Sequence, residues 1–357
     1  MPSVSKTSKA TKAVKTSRNV KTPTRKAVAK GSVVIKASAN PDCLVINDGK
    51  LYAGSEAIKV FDLETNKLIK TLDDIPGIDD YSTTCIYTFT SASKHHYIAA
   101  VCSGEIYFYK NEKLQEKTLP IDMFDNDYAT YMVYDEKSNL FFVGNGETTN
   151  TYDIETLEEV ELNTFGKSTW IKSGSNDSIF LWEREPDNIL LIGGVEYTDF
   201  EQGDGNRSTI RSWILQHKYK NSVKRCKSVF HNEKIAKSSN RQTLRCFASG
   251  GDFLYSGGGE QGHSSKGSIW RWSWDGNLKG QKFASVGATT IAVSGTKLFF
   301  NNRLATKSAK AIQVYDTETK KEIDSLTGHK GVITNLVANG GKLYSSSDDD
   351  TIRVWNV

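Results

Sequence analysis

The chain has 357 residues, 38% of them hydrophobic, enough to bury one large core or two small ones. Its 46 Lys and Arg against 42 Asp and Glu give a formal charge of +4, but residues 1–30 hold nine of the bases and no acid, leaving 37 bases against 42 acids and a body of net −5. No run approaches the roughly 18 apolar residues of a membrane span, no apolar segment marks a secretory signal, and the five cysteines (Cys43, Cys85, Cys102, Cys226, Cys246) lack paired spacing, so reduced thiols in an intracellular protein are expected rather than a disulfide framework or a zinc site.

Residues 1–30 contain no Leu, Ile or aromatic residue, and nine positions are Ser or Thr. Such a segment cannot bury enough apolar surface to offset its ordering entropy, so it reads as a disordered basic arm. Lys6, Lys9, Lys12, Lys15, Arg18 and Lys21 recur at every third position, followed by Arg25, Lys26 and Lys30. A helix would spread these charges around its axis, drifting about 60° per step. An extended conformation with three residues per turn stacks them on one side, which suits a polyanion. Three uses stay open: a solubilising tail or nuclear-import signal, a nucleic-acid contact, or a mitochondrial presequence, which the scarcity of Arg argues against. The arm tilts the expected location toward the nucleus over the cytoplasm. Thr22-Pro23-Thr24-Arg25 resembles the consensus of cell-cycle kinases and makes Thr22 a candidate phosphorylation site.

From residue 31 to 357 short apolar or aromatic runs alternate with Gly, Asn and Asp clusters, without a 3.6-residue period. One pattern recurs: Ile, any residue, usually an apolar residue, an aromatic, then often Asp. It starts at Ile58, Ile106, Thr149 (a weaker copy), Ile210, Ile269, Ile312 and Ile352, with steps of 48, 43, 61, 59, 43 and 40 residues. Seven copies at such a period indicate a repeat architecture. A strand precedes most copies, as at Leu51-Tyr52-Ala53, Leu254-Tyr255-Ser256 and Leu343-Tyr344-Ser345. Three of the following turns read Asp62-Leu63-Glu64-Thr65, Asp153-Ile154-Glu155-Thr156 and Asp316-Thr317-Glu318-Thr319, where the leading Asp can accept backbone N–H bonds in a tight reversal. Four strands per unit and seven units predict an all-β, seven-bladed β-propeller.

The last unit joins Gly328-His329 to Leu343-Tyr344-Ser345 and Asp348-Asp349-Asp350-Thr351-Ile352-Arg353-Val354-Trp355-Asn356, and so resembles a WD repeat. The resemblance implies a buried hydrogen-bonded tetrad of His329, Asp349, Ser345 and Trp355, structural in role. The other units lack Gly-His and end in Phe-Asp, Tyr-Asp or Tyr-Lys, so their tetrads are expected to be incomplete. Because the last unit stops one strand short, residues 32–36 are expected to complete its sheet and lock the ring.

Chemistry-bearing motifs are sparse. Gly257, Gly259 and Gly262 match G-x-G-x-x-G, but a β-run follows instead of the helix that a dinucleotide site requires. The six histidines show no metal-ligand spacing, and His95-His96 reads as a surface turn. Trp213, Trp270, Trp272 and Trp274 fit inter-blade packing better than base stacking. No cofactor or metal is expected, and an enzyme with a loop-built site is the remote alternative.

Three consecutive units have expanded loops between their second and third strands, at Gly193–Ser208, Gly257–Gly267 and Asn301–Lys310. Their charged residues, Glu196, Asp199, Glu201 and Asp204 in the first and Arg303, Lys307 and Lys310 in the third, are the candidate partner contacts. Acidic inter-blade loops at Asp73, Asp74, Asp79 and Asp80 and at Asp122, Asp125 and Asp127 form a second arc. The reading is a propeller closed by an N-terminal strand, acting as a non-catalytic protein-interaction scaffold that binds a peptide or protein surface through one face. The alternative is a nucleic-acid-associated protein, of chromatin or an RNP, that uses the arm. Neither a membrane nor an obligate homo-oligomer is expected.

Overall fold

The computed structural model describes residues 32–37, 40–76, 85–120, 131–144, 149–160, 174–185, 187–196, 207–215, 223–225, 229–230, 242–260, 263–275, 278–302 and 309–357. These residues form strands and turns in seven small antiparallel sheets. In chain order the sheets occupy residues 43–72, 85–120, 131–153, 174–230, 242–284 and 290–327, and the seventh joins residues 333–356 to the strand Val33–Lys36. The innermost strands touch in a closed cycle, each against the next and Ile333–Asn339 back against Cys43–Asn47, so the sheets form a propeller-like ring. No helix of the described residues is long and apolar enough to cross a membrane.

Position within a sheet sets its sequence pattern. Second strands are sandwiched between neighbouring sheets and run almost wholly apolar, as in His96–Cys102 and Leu140–Gly144, both buried nearly throughout. Outer strands alternate weakly and expose most of their side chains, as in Leu278–Ala284. The three Asp-x-Glu-Thr turns close by a shared mechanism: Asp62 Oδ1 accepts from Thr65 N at 2.7 Å, Asp153 Oδ1 from Thr156 N at 3.1 Å, and Asp316 Oδ1 from Thr319 N at 2.6 Å. The seventh sheet closes through Val33–Lys36, paired antiparallel with Thr351–Asn356 in the register Val33↔Val354 to Lys36↔Thr351.

Three features depart from the sequence reading. The third sheet has three strands among the described residues, not four, with a single bridge from Tyr152 to Glu159 beyond its last strand. The other six have four or five. Of the stretches read as expanded loops, the described ends of the first pair, Ile189–Glu196 with Arg207–Leu215, the second forms a hairpin of Phe253–Glu260 with His263–Trp274, and residues 197–206 and 303–308 lie outside the described residues. In the second hairpin the glycines serve close packing. A Cβ on Gly257 would lie 2.8 Å from both Ala288 Cβ and Cys246 Sγ, and one on Gly267 would lie 2.4 Å from the Gly258 oxygen. The strand after the G-x-G-x-x-G pattern begins at His263. Finally, His96 is no turn residue. It starts a strand and stacks on Tyr52 of the first sheet at 5.8 Å, with Tyr52 Oη 3.3 Å from its Nε2, and burial lowers its pKa.

Candidate functional site

The turns from first to second and from third to fourth strand emerge on one face of the ring. Across that face, a cation of one sheet repeatedly reaches a turn of the next. Lys342 donates to the Leu63 oxygen at 3.2 Å, Lys50 pairs with Glu112 at 3.0 Å, Lys117 donates to the Thr156 oxygen at 2.6 Å, Lys137 to the Arg184 oxygen at 3.0 Å, and Arg271 to the Thr317 oxygen at 3.0 Å. Each tie satisfies a turn group that would otherwise depend on water.

The densest tie joins the second and third sheets. Asp153 caps its turn and accepts at its carbonyl from Leu157 N at 2.8 Å, which places Leu157 in the left-handed region at φ 54. That geometry buries Ile154 and sends Glu155 back toward the second sheet. There Glu155 accepts from Lys110 Nζ at 2.8 Å, from Tyr97 Oη at 3.1 Å and from Ser93 Oγ, while Lys110 lies 5.4 Å from the Tyr97 ring centroid. Burial opposes the charge on Glu155, yet hydrogen bonds from Lys110, Ser93 and Tyr97, with the Lys110 charge, hold the carboxyl down to about 2. Burial raises the Tyr97 phenol, and the bonds to Glu155 and Tyr97 raise Lys110.

A cleft of about 480 Å³ opens over this cluster. It exists because the outer strand of the second sheet is split: only Lys113–Leu114 and Leu119–Pro120 pair with Glu105–Lys110. Between them Gln115 N still donates to the Phe108 oxygen at 2.8 Å, and Gln115, Glu116 and Lys117 form one wall. Phe108, Ile154 and Leu157 supply apolar floor, and Glu116 and Lys117 stand at the exposed rim. The volume is in the range of small-ligand and peptide side-chain pockets. Sequence reading missed this site. Its members are local to nothing: Tyr97 and Glu155 are 58 positions apart. The one available signal was Leu157, where the sister turns carry Asn66 and Lys320 at the same left-handed position.

The four side chains of the last unit come together. His329 Nδ1 lies 3.1 Å from Asp349 Oδ2, its Nε2 lies 2.8 Å from Ser345 Oγ, and Trp355 Nε1 donates to Ser345 Oγ at 2.9 Å. The neutral imidazole that satisfies all four donates from Nδ1 to Asp349 and accepts at Nε2 from the Ser345 hydroxyl. Burial lowers the His329 pKa against the pull of Asp349. Asp349 is itself held well below the usual carboxylate range: burial opposes its charge, but donors from Thr351, Lys330 N and His329 prevail. The order Asp–His–Ser matches that of a nucleophile relay. Ser345 is fully buried and bonded on both sides, so here the order serves the framework. The fifth sheet repeats the tryptophan–serine bond, Trp272 Nε1 donating to Ser256 Oγ at 2.9 Å, both buried.

Of the loop candidates, Asp199, Glu201, Asp204, Arg303 and Lys307 lie outside the described residues. Glu196 ends a strand, its backbone in register with Arg207, and Lys310 is exposed beside buried Ala309. Lys6, Lys9, Lys12, Lys15, Arg18, Lys21, Arg25, Lys26 and Thr22 lie outside the described residues, as do Asp79, Asp80, Asp122, Asp125 and Asp127. Asp74 accepts from Tyr109 Oη at 2.5 Å and so ties the first sheet to the second. Trp272 is core, and Trp270 and Trp274 are half-buried against it.

No protein-family model and no curated protein matches this chain. Among solved structures it is similar to a crystal structure of the computationally designed Ika8 protein, with a TM-score of 0.55 and 13% identity over 90% of this chain and 98% of that one. At that identity the likeness speaks to the fold alone.

Proposed function

We propose that the protein is a non-catalytic interaction scaffold that grips a peptide or protein surface, with the cleft between the second and third sheets as one recognition site. The observation that carries this reading is the state of the cleft's ionisable groups. Glu155 is ionised across the neutral range and committed to three donors, and the Tyr97 phenol is held protonated. Neither can trade a proton near neutral pH, as general acid–base catalysis demands. A prepaired, partly apolar cleft on a rigid ring suits recognition instead. On this reading the third sheet serves as one of seven blades, the quartet of the seventh sheet is that of a WD repeat, and Glu196, Asp199, Glu201, Asp204, Arg303, Lys307 and Lys310 extend recognition to the opposite face. The test is affinity capture with the full-length protein, with residues 31–357, and with a Gln115→Ala, Glu116→Lys double variant. The expected result is a partner that survives removal of residues 1–30 and loses at least tenfold in yield with the double variant. Equal capture by all three forms would take recognition away from the cleft, and turnover in a broad substrate screen would overturn the non-catalytic reading.

A second reading rests on the arm, whose nine cations without an acid or an aromatic residue would contact phosphates without reading sequence. If about six of them engage duplex DNA, log K against log salt has a slope near −5. Binding that persists in residues 31–357, or a shallow slope, counts against it.

A further inference from the structure

The three Asp-x-Glu-Thr turns share one backbone as well as one sequence pattern. Counting the leading Asp as the first residue, the fifth lies in the left-handed region each time: Asn66 at φ 56, Leu157 at φ 54 and Lys320 at φ 58. Its N–H returns to the leading Asp carbonyl at 2.8, 2.8 and 2.9 Å, and the Asp N–H donates to the oxygens of Lys67, Glu158 and Lys321 at 2.9, 3.0 and 2.9 Å. The reversal thus closes alike on asparagine, leucine and lysine, and its hydrogen bonds do not call for an apolar side chain. Asparagine is enriched in that region because its short polar side chain can hydrogen-bond locally, whereas leucine meets the clash of its Cβ with the backbone without that return.

Core packing at two of these turns falls to the second residue. Leu63 is buried in the cluster between the seventh and first sheets, and Ile154 in that between the second and third. The first sheet follows Leu63 with Asn66, but the third follows Ile154 with Leu157, half-buried against the same cluster. Leu157 also stands where the outer strand of the preceding sheet is split, and with Ile154 and Phe108 it lines the cleft of about 480 Å³. Ile154 and Phe108 are wholly buried, so of these three Leu157 is the one partly open to the cleft. Two residues before it, Glu155 is fastened to Lys110 at 2.8 Å and Tyr97 at 3.1 Å, which holds the turn in place against the second sheet.

We propose that Leu157 is the specificity-determining residue of the cleft, kept in a strained conformation so that an apolar side chain of a bound peptide meets it beside Phe108 and Ile154. The inference rests on the reading of the cleft as a recognition site, and adds which residue chooses the occupant and what chemistry it chooses. A bulky apolar residue in the left-handed region, at the one of three matching turns that borders the cleft, is the pattern expected where strain is retained for binding. The opposing account is packing, in which leucine offsets its conformation by covering the cluster beneath it. The two accounts part on stability. Asparagine in place of Leu157 relieves strain on the first and uncovers core on the second.

The test uses the full-length protein and peptides drawn from a random display library, counter-selected on the Gln115→Ala, Glu116→Lys variant so that cleft-dependent sequences remain. These peptides should share a position held by Leu, Ile, Met or Phe. Their affinity should fall about tenfold or more on Leu157→Asn, but by no more than about threefold on Leu157→Met, which keeps an apolar side chain. Asn66 shows that this turn accepts asparagine, so Leu157→Asn should melt at or above the wild-type temperature. A lower melting temperature would make Leu157 a packing residue and overturn the proposal, whether or not binding is lost. So would cleft-dependent peptides that share no apolar position or are indifferent to Leu157→Asn, in which case the cleft stands as a recognition site without this role for Leu157. A library that yields no cleft-dependent peptide would overturn both readings.

Discussion

The seventh and fifth sheets share one buried bond, from a third-strand tryptophan to a second-strand serine: Trp355 to Ser345 and Trp272 to Ser256, each 2.9 Å. They differ in how the adjoining loop is held. The seventh adds His329 and Asp349, and with Lys330 N donating to Asp349 at 2.7 Å it fastens its approach loop by side chains. The fifth fastens a loop by backbone contact. Its glycine hairpin lets Ala288 N donate to the Gly258 oxygen at 3.3 Å, with Cys246 Sγ 3.6 Å from the Ala288 oxygen. The Trp–Ser bond thus joins third strand to second whatever the loops do, and the His–Asp pair is a separate device for holding a loop.

Substitutions can pull these devices apart. Trp355→Ala and Trp272→Ala should cost about 3–5 kcal/mol each, since both remove a buried aromatic and strand a serine. Chemical denaturation of the two variants should give losses of similar size. A much smaller loss for Trp272 would mean that the fifth-sheet pair does not do the same work. Closure comes next. Deleting residues 1–37 removes the buried Ile35 and should cost about 2–5 kcal/mol, whereas deleting 1–30 should leave the melting temperature nearly unchanged. Equal melting temperatures would break the closure assignment. His329→Ala should cost about 1–3 kcal/mol, read in the same denaturation series.

The smallest effect is a pH dependence. Burial keeps the folded pKa of His329 below its ordinary 6.5, so below that value the unfolded chain binds the proton more readily. The stability tied to neutral His329 is therefore present above about pH 6.5 and lost as the pH falls toward its folded value. Wild type and His329→Ala should converge in stability between pH 7.5 and 5. Asp349 and Glu155, both depressed, contribute stability that is full above the carboxylate range and fades only in stronger acid, Glu155 toward about 2. Trp272 and Ser256 do not titrate, so the cost of Trp272→Ala should be flat with pH. A parallel pH response in both sheets would erase the distinction.

Local patterns made much of this legible in the sequence. The Ile-to-aromatic repeat marks third strands, the Asp-x-Glu-Thr turns mark hairpins, and the closing strand follows from one unit ending short. The cluster of Tyr97, Lys110 and Glu155 left no such trace, because it arises where two sheets meet and its members carry no shared spacing. Burial along the closing strand was not legible: of Val33, Val34 and Ile35 only Ile35 is buried, since an outermost strand is covered just where its inward neighbours overhang it. The glycines at 257–259 read as a loop because flexibility and close approach call for the same residue.

Closure of the seventh sheet ties Ser32 to Arg353 across 321 positions, at 2.8 Å. Contacts of that span form last and slowly, because loop-closure entropy must be met before they return anything. While the chain is being made, Val33–Lys36 stays an unpaired apolar strand until Thr351–Asn356 emerges. For that interval the mutual repulsion of nine upstream cations would disfavour pairing of the orphan strand with another copy of the chain.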